Sequence, residues 1–177
     1  MAIHRRSFAI AAIVCSCSVG SAVESFAAPN VVVIAPELVT SGQPTVQALS
    51  GLSRQGFEAV IYLAPSTVSD AIKNEPELIT RQGVEFIHIP IPFNAPNEAH
   101  FEELSAALQR LQGRKVLVHC QVNMRASTMV FLHRVIKEKV NPAVAWEAVT
   151  RVWLPEGPWK RLVLAQLGKH GIKFEPF

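Results

Sequence analysis

The chain has 177 residues, of which 49% are hydrophobic and 18% charged, and its formal net charge is +3. That balance builds a domain-sized core and excludes a disordered chain. The positive excess is too small and too scattered for a nucleic-acid footprint, which needs clustered Lys and Arg, yet it tolerates an anionic substrate.

Residues 1–27 read as an export signal. MAIHRRS supplies a short basic region, FAIAAIVCSCSVGSAV a small-residue apolar run, and Ser25-Phe26-Ala27 a cleavage site before Ala28. The apolar run is short for a membrane span, so no integral span is expected in the mature chain. Residues 28–177 are expected to form one domain in the periplasm. Arg5-Arg6-Ser7-Phe8 resembles a twin-arginine signal, which exports folded protein; the general secretory route stays open beside it. Val14-Cys15-Ser16-Cys17 is a loose lipoprotein box and the weaker reading. Removal of the signal leaves Cys120 as the single cysteine, so no internal disulfide forms.

Along the mature chain, Val31–Ile34 is a short apolar run and a first strand. Ser41-Gly-Gln-Pro-Thr45 is a turn whose Thr caps a helix carrying Val46, Leu49 and Leu52, ended by Gly56. Phe57–Leu63 is a second, buried strand. A short helix around Glu77–Gln82 stops at Gly83, and Val84–Ile91 is a third strand, with Pro90 pointing to an edge or a strand end. Phe101, Leu104, Leu108 and Leu111 repeat at helical spacing up to Gly113. Lys115–His119 is the fourth strand, and Ala126–Lys139 is a helix apolar over most of its surface, hence internal. Asn141-Pro142 opens another helix and Pro158 a last one. This alternation predicts an α/β fold with a mostly parallel central sheet of about four to five strands and helices on both faces. Ligands in such sheets bind beyond the strands' carboxyl ends.

At one such end stands Val116-Leu-Val-His-Cys-Gln-Val-Asn-Met-Arg-Ala-Ser127. A cysteine placed after a buried strand and before a helix faces that helix's N–H groups and the positive end of its dipole, which stabilise a thiolate. Successive N–H groups of Gln121, Val122, Asn123, Met124, Arg125 and Ala126 would make a nest for a tetrahedral oxyanion. Arg125 can grip two of its oxygens. The bland alternative is a buried structural cysteine with Arg125 on a solvated turn.

The segment resembles the cysteine-dependent protein tyrosine and dual-specificity phosphatases, whose signature is His-Cys, five residues, Arg, then Ser or Thr. Ser41-Gly-Gln-Pro44, Gly56-Phe57 and the strand ending at Leu63 are similar to the opening of small bacterial dual-specificity-like domains. The resemblance implies Cys120 as nucleophile and His119 as a support of the loop. It also implies Ser127, seven after the cysteine, as an aid to the thiolate leaving group. Asn123 takes the usual glycine's place. Arg125 departs from the pattern: only Gln121 to Met124 separate it from Cys120, and Ala126 holds the usual arginine position. Two backbones fit this, a tighter loop with Arg125 still on the anion, or a loop of normal length that Arg125 approaches from a neighbouring angle. A tighter loop is closer to those of rhodanese-like sulfurtransferases.

The resemblance also implies a general-acid aspartate after the third strand, but that loop reads Phe93-Asn-Ala-Pro-Asn-Glu98-Ala-His100. Asp70, the only aspartate in the chain, lies on the loop after Leu63 and is the candidate acid; the alternative is a solvated helix-start residue. Glu98 and His100 are further candidates, or exposed first-turn residues. His88 is read as a satisfied strand residue. The histidines lack metal-ligand spacing, and no metal or organic cofactor is required. Trp146, Trp153 and Trp159 form either a clasp over the last helices or an aromatic rim of the site. Val122 and Met124 would line the mouth.

Three functions stay open at this point. The first is hydrolysis of phosphate monoesters on a protein or small molecule through a cysteinyl-phosphate. The others are persulfide transfer and a non-catalytic anion-binding or redox-sensing thiol.

Overall fold

The computed structural model describes residues 26–177. The export-signal reading therefore lies almost wholly outside the described residues. Phe26 and Ala27 fall inside them: Phe26 packs on Phe57 at 5.9 Å between ring centroids.

Five strands form one sheet in the order β1-β2-β5-β3-β4. β1 (Val32–Ala35) and β2 (Leu38–Ser41) make an antiparallel hairpin, while β2, β5 (Val116–His119), β3 (Ala59–Tyr62) and β4 (Glu85–His88) run parallel. The expected α/β sheet is present, with one strand that sequence reading took for the approach to a turn. Leu38–Ser41 was hidden because only Leu38 and Val39 of its four residues are apolar, too short a run to announce a strand. The Ser41-Gly42 turn begins where this strand ends.

The side-chain alternation of the central strands sorts the core into two layers. Ala59, Ile61, Val116 and Val118 face the helices α3 (Glu98–Arg110), α4 (Met124–Ile136), α5 (Pro142–Thr150) and α6 (Gly157–Lys169). Val60 and Leu117 face the other layer, with Leu49 and Leu52 around α1 (Val46–Leu49) and Ile79 of α2 (Glu75–Thr80). Thr45 caps α1 through its Oγ1, which accepts from Ala48 N–H at 3.1 Å, and Gly56 ends the following turn at φ +80°. α4 is buried on nearly every side, as its all-round apolar sequence requires, and starts two residues earlier than the apolar run suggested. β4 is an edge strand and stops at His88, before Pro90.

The parallel register brings the last residues of the inner strands level. Ser41 pairs with His119, and His119 with Tyr62, which in turn pairs with His88. A row of polar side chains thus crosses the carboxyl end of the sheet. No helix among the described residues is long and apolar enough to cross a membrane.

Candidate active site

Cys120 follows the central strand β5 and is fully buried, its N–H donating to the Ser41 carbonyl at 3.2 Å. Beyond it the chain turns at Asn123, whose φ of +70° is left-handed, and enters α4 at Met124. Asn tolerates that region better than other side-chain-bearing residues, as its place in the signature suggested. The first bond of the helix is from Ser127 N–H to the Asn123 carbonyl at 2.9 Å. Among the described residues, the backbone N–H groups of residues 121 to 126 make no hydrogen bond of ordinary length and angle, although Val122 forms an isolated antiparallel bridge with Gly42. Those donors lie at the positive end of α4, the place where the sequence led us to expect an anion nest.

Arg125 is fixed beside the loop. It is the second residue of α4 and only 4% exposed, with Nε donating to the Ile91 carbonyl at 2.9 Å. Nη1 donates to Gln121 Oε1 at 3.4 Å, and the guanidinium carbon lies 5.0 Å from the centre of the Phe93 ring. The helix starts at Met124, and Arg125, four residues from Cys120 along the loop, is held on its flank. A solvated arginine is ruled out by its burial.

Asp70 also comes to the loop. Its Oδ1 accepts from Gln121 Nε2 at 2.9 Å, so Gln121 links Asp70 on one side to Arg125 on the other. The other two acid candidates are used elsewhere. Glu98 pairs with Lys169, whose ammonium holds the carboxyl below its ordinary range. His100 closes a reciprocal cap with Asn97: its Nδ1 accepts from Asn97 N–H at 3.3 Å while Asn97 Oδ1 accepts from His100 N–H at 3.1 Å.

Beneath the cysteine lies a buried polar layer. His119 is stacked on Tyr62 at 4.8 Å, and Tyr62 on His88 at 5.1 Å; the His88 ring is satisfied by the Ala64 carbonyl at 2.8 Å from Nε2. His119 Nε2 stands 2.7 Å from Glu75 Oε1, out of hydrogen-bond line, with both side chains buried. The other Glu75 oxygen accepts from Gln43 Nε2 at 2.7 Å. Glu75 and Tyr62 were not foreseen. Glu75 sits in a short Glu-Pro-Glu helix start that reads as solvated, and only its register against His119 reveals it. Tyr62 is the chain's one tyrosine, at the end of a buried strand, which was the available signal. Its hydroxyl has no partner among the described residues, and burial pushes its pKa up. The charges of Glu75, Asp70 and Cys120 push the same way, against Arg125. All four groups therefore lie within electrostatic reach of one phenol, which stays a neutral O–H.

Ser127 is buried, with Oγ donating to the Met124 carbonyl at 3.3 Å. The tryptophans divide between the two roles considered. Trp146 packs edge-on to Phe131 at 4.8 Å, inside the clasp. Trp153 and Trp159 hold Phe93, at 5.8 and 5.7 Å, on the flank of Arg125. Trp159 Nε1 donates to the Phe93 carbonyl at 2.8 Å, and Trp153 Nε1 to Thr128 Oγ1 at 3.1 Å. Phe93 and Val122 remain exposed at 40% and 39%, an apolar rim.

Residues 34–154 match the family model described as PTP-NADK, DSP-PTPase phosphatase fused to NAD+ kinase. Among solved structures the chain is similar to a putative phosphatase (DUF442) from Shewanella putrefaciens CN-32, with 32% identity and a TM-score of 0.75 over 82% of this chain and 93% of that one. It shares its fold with Tk-PTP in the active form (24% identity, TM-score 0.63, 80% of this chain and 95% of that). It also shares it with TpbA of P. aeruginosa in complex with pTyr (16% identity, TM-score 0.56, 77% and 90%). No curated protein matches the chain. A buried cysteine under free N–H groups, an arginine fixed beside it and a match that spans the whole sheet lead to one assignment: the chain belongs to the DSP-PTPase phosphatase family.

Proposed function

We propose that the protein hydrolyses phosphate monoesters through a cysteinyl-phosphate, as an exported enzyme whose residues 28–177 form one domain. The observation that carries this reading is the set of unpartnered N–H groups of residues 121 to 126 around the end of β5, with Arg125 held at their side. A tetrahedral dianion satisfies those donors. The Cys120 thiolate attacks phosphorus, the ester P–O bond breaks, and the leaving oxygen takes a proton from Asp70. Water then attacks phosphorus and gives a proton to the Asp70 carboxylate, the P–S bond breaks, and inorganic phosphate and the thiolate are released. The N–H groups and Arg125 stabilise charge on the equatorial oxygens in both steps.

Asp70 suits the acid's role by position, since Gln121 ties it to the rim of the loop. His119, wedged between Tyr62 and Glu75, holds the strand end from which Cys120 projects. Ser127 can rotate its hydroxyl from Met124 toward the departing thiolate. Persulfide transfer uses the same nest but needs no acid, and family membership favours the phosphatase. The exposed Phe93 and Val122 support a phosphate carried on an aryl or otherwise apolar group, as in phosphotyrosine.

Turnover of an aryl phosphate between about pH 5 and 8 tests the reading, beside Cys120→Ser. An aryl oxygen leaves readily even where acid help is weak. Wild-type turnover that Cys120→Ser loses is the expected result; equal rates for the two proteins would sink the proposal.

A further inference from the structure

Residues 27–30 precede the sheet and take no part in the chemistry above, yet they hold the cysteine loop from behind. The Ala27 carbonyl accepts from Thr45 N–H at 3.0 Å and the Pro29 carbonyl from Gly42 N–H at 2.7 Å. Asn30 then binds the loop twice. Its Nδ2 donates to the Val122 carbonyl at 3.0 Å, and its own carbonyl accepts from Asn123 Nδ2 at 2.6 Å. Asn123 Nδ2 also reaches Thr40 Oγ1 at 3.0 Å. Asn30, like Asn123, is left-handed, with φ of +48°. Gly42 lies between the two segments, where an added Cβ would stand 2.6 Å from the Gln121 carbonyl oxygen and 2.8 Å from Pro29 Cβ.

These contacts set the direction of peptides in the loop. In a trans peptide the carbonyl and the following N–H point to opposite sides. The Gln121 carbonyl is held by Gln43 N–H at 2.8 Å, which turns Val122 N–H the other way. The Val122 carbonyl is held by Asn30, which turns Asn123 N–H away from Asn30, on the side where Val122 bridges Gly42. A carbonyl turned into the nest would repel the anion that an N–H attracts. A loop with only Gln121 to Met124 between Cys120 and Arg125 has few peptides to spare.

We infer that Pro29–Asn30 is a clamp that orients the anion loop, and that Asn30 is a positioning residue for phosphate binding. The inference rests on the phosphatase reading for the identity of the anion. Cleavage before Ala28 would keep Pro29 and Asn30 while freeing Thr45 N–H and Phe57, so the clamp survives the expected processing.

Calorimetric affinity for inorganic phosphate, with aryl phosphate kinetics alongside, tests the clamp in the full chain and its Asn30→Gly variant. Glycine accepts the left-handed backbone and removes only the side-chain amide, and Asn30 is exposed, so the core does not depend on it. The expected result is about a tenfold loss of phosphate affinity, the scale of one hydrogen bond. KM should rise more than kcat falls, at a temperature well below both melting points. An Asn30→Gly variant that binds phosphate as the wild type does overturns the clamp. Wild-type binding without turnover leaves the affinity comparison to decide the clamp and counts against hydrolysis alone. A wild type that binds no phosphate overturns the clamp together with the nest.

Discussion

The two ends of the sheet treat most of their polar groups in opposite ways, His133 Nδ1, buried without a partner, being the exception at the amino end. At the amino end, charges are tied off: Glu85 takes Arg110 at 2.6 Å and Arg114 at 2.7 Å, and Lys115 Nζ donates to the Gln55 carbonyl at 2.8 Å. The two arginines hold the Glu85 carboxyl below its ordinary range. At the carboxyl end, Tyr62 OH, His119 Nδ1 and Asn123 Oδ1 are buried without hydrogen-bond partners, His119 Nε2 faces Glu75 Oε1 at 2.7 Å, and the loop N–H groups make no ordinary hydrogen bond. Each unsatisfied buried group costs about 1–3 kcal/mol. An anionic ligand would supply acceptors for the donors among them, Tyr62 OH and the loop N–H groups, but not for Asn123 Oδ1. The contrast separates the end that holds the fold from the end that spends stability on binding.

The largest effect expected from breaking this contrast is at Arg125. Arg125→Lys keeps the charge but loses the planar fork and the Ile91 carbonyl contact, and kcat/KM should fall about 10²–10³-fold, the scale of a lost oxyanion donor. Tm should fall only modestly beside that loss, since the Ile91 carbonyl forfeits one donor while the packing of the core is kept. A drop in Tm with unchanged kinetics would reverse the assignment of that end to binding.

Asp70→Asn sharpens the comparison within the site. As general acid, Asp70 should matter most for poor leaving groups, so turnover of an alkyl phosphate should fall about 10²-fold or more while the aryl ester loses far less. Equal losses on both substrates would make Asp70 a partner of Gln121 alone.

The smallest effect belongs to the amino end. His133 is buried near Lys137 and Glu138, and burial, helped by Lys137 and opposed by Glu138, lowers its pKa. The unfolded chain then takes up a proton at about pH 6.5 before the folded one does. The stability contribution is complete above that value and declines as pH falls through the window below it. His133→Gln should flatten the decline in Tm between about pH 7 and pH 5 without moving kcat/KM. An unchanged slope would remove His133 from the account.

Much of this was legible in the sequence. Short apolar runs and Gly-stopped helices gave the α/β order, and the segment from His119 to Ser127 gave the strand–turn–helix that carries Cys120, because its spacing along the chain is the geometry itself. Three features were not legible. β2 lacks an apolar run. Glu75 and Tyr62 meet His119 only through the parallel register of β3 and β5. Asn30 reaches Val122 across 92 residues, a contact that no local pattern announces. Asp70 was visible as a lone aspartate, but its bond to Gln121 needed the fold.

The central claim is that Cys120 is the nucleophile, and the most direct measurement is the mass of the intact protein quenched in acid during turnover of an aryl phosphate. The account predicts a phosphoryl group on the peptide that contains Cys120, absent from Cys120→Ser. Turnover with no phosphoryl group on that peptide, or one that survives in Cys120→Ser, would contradict it.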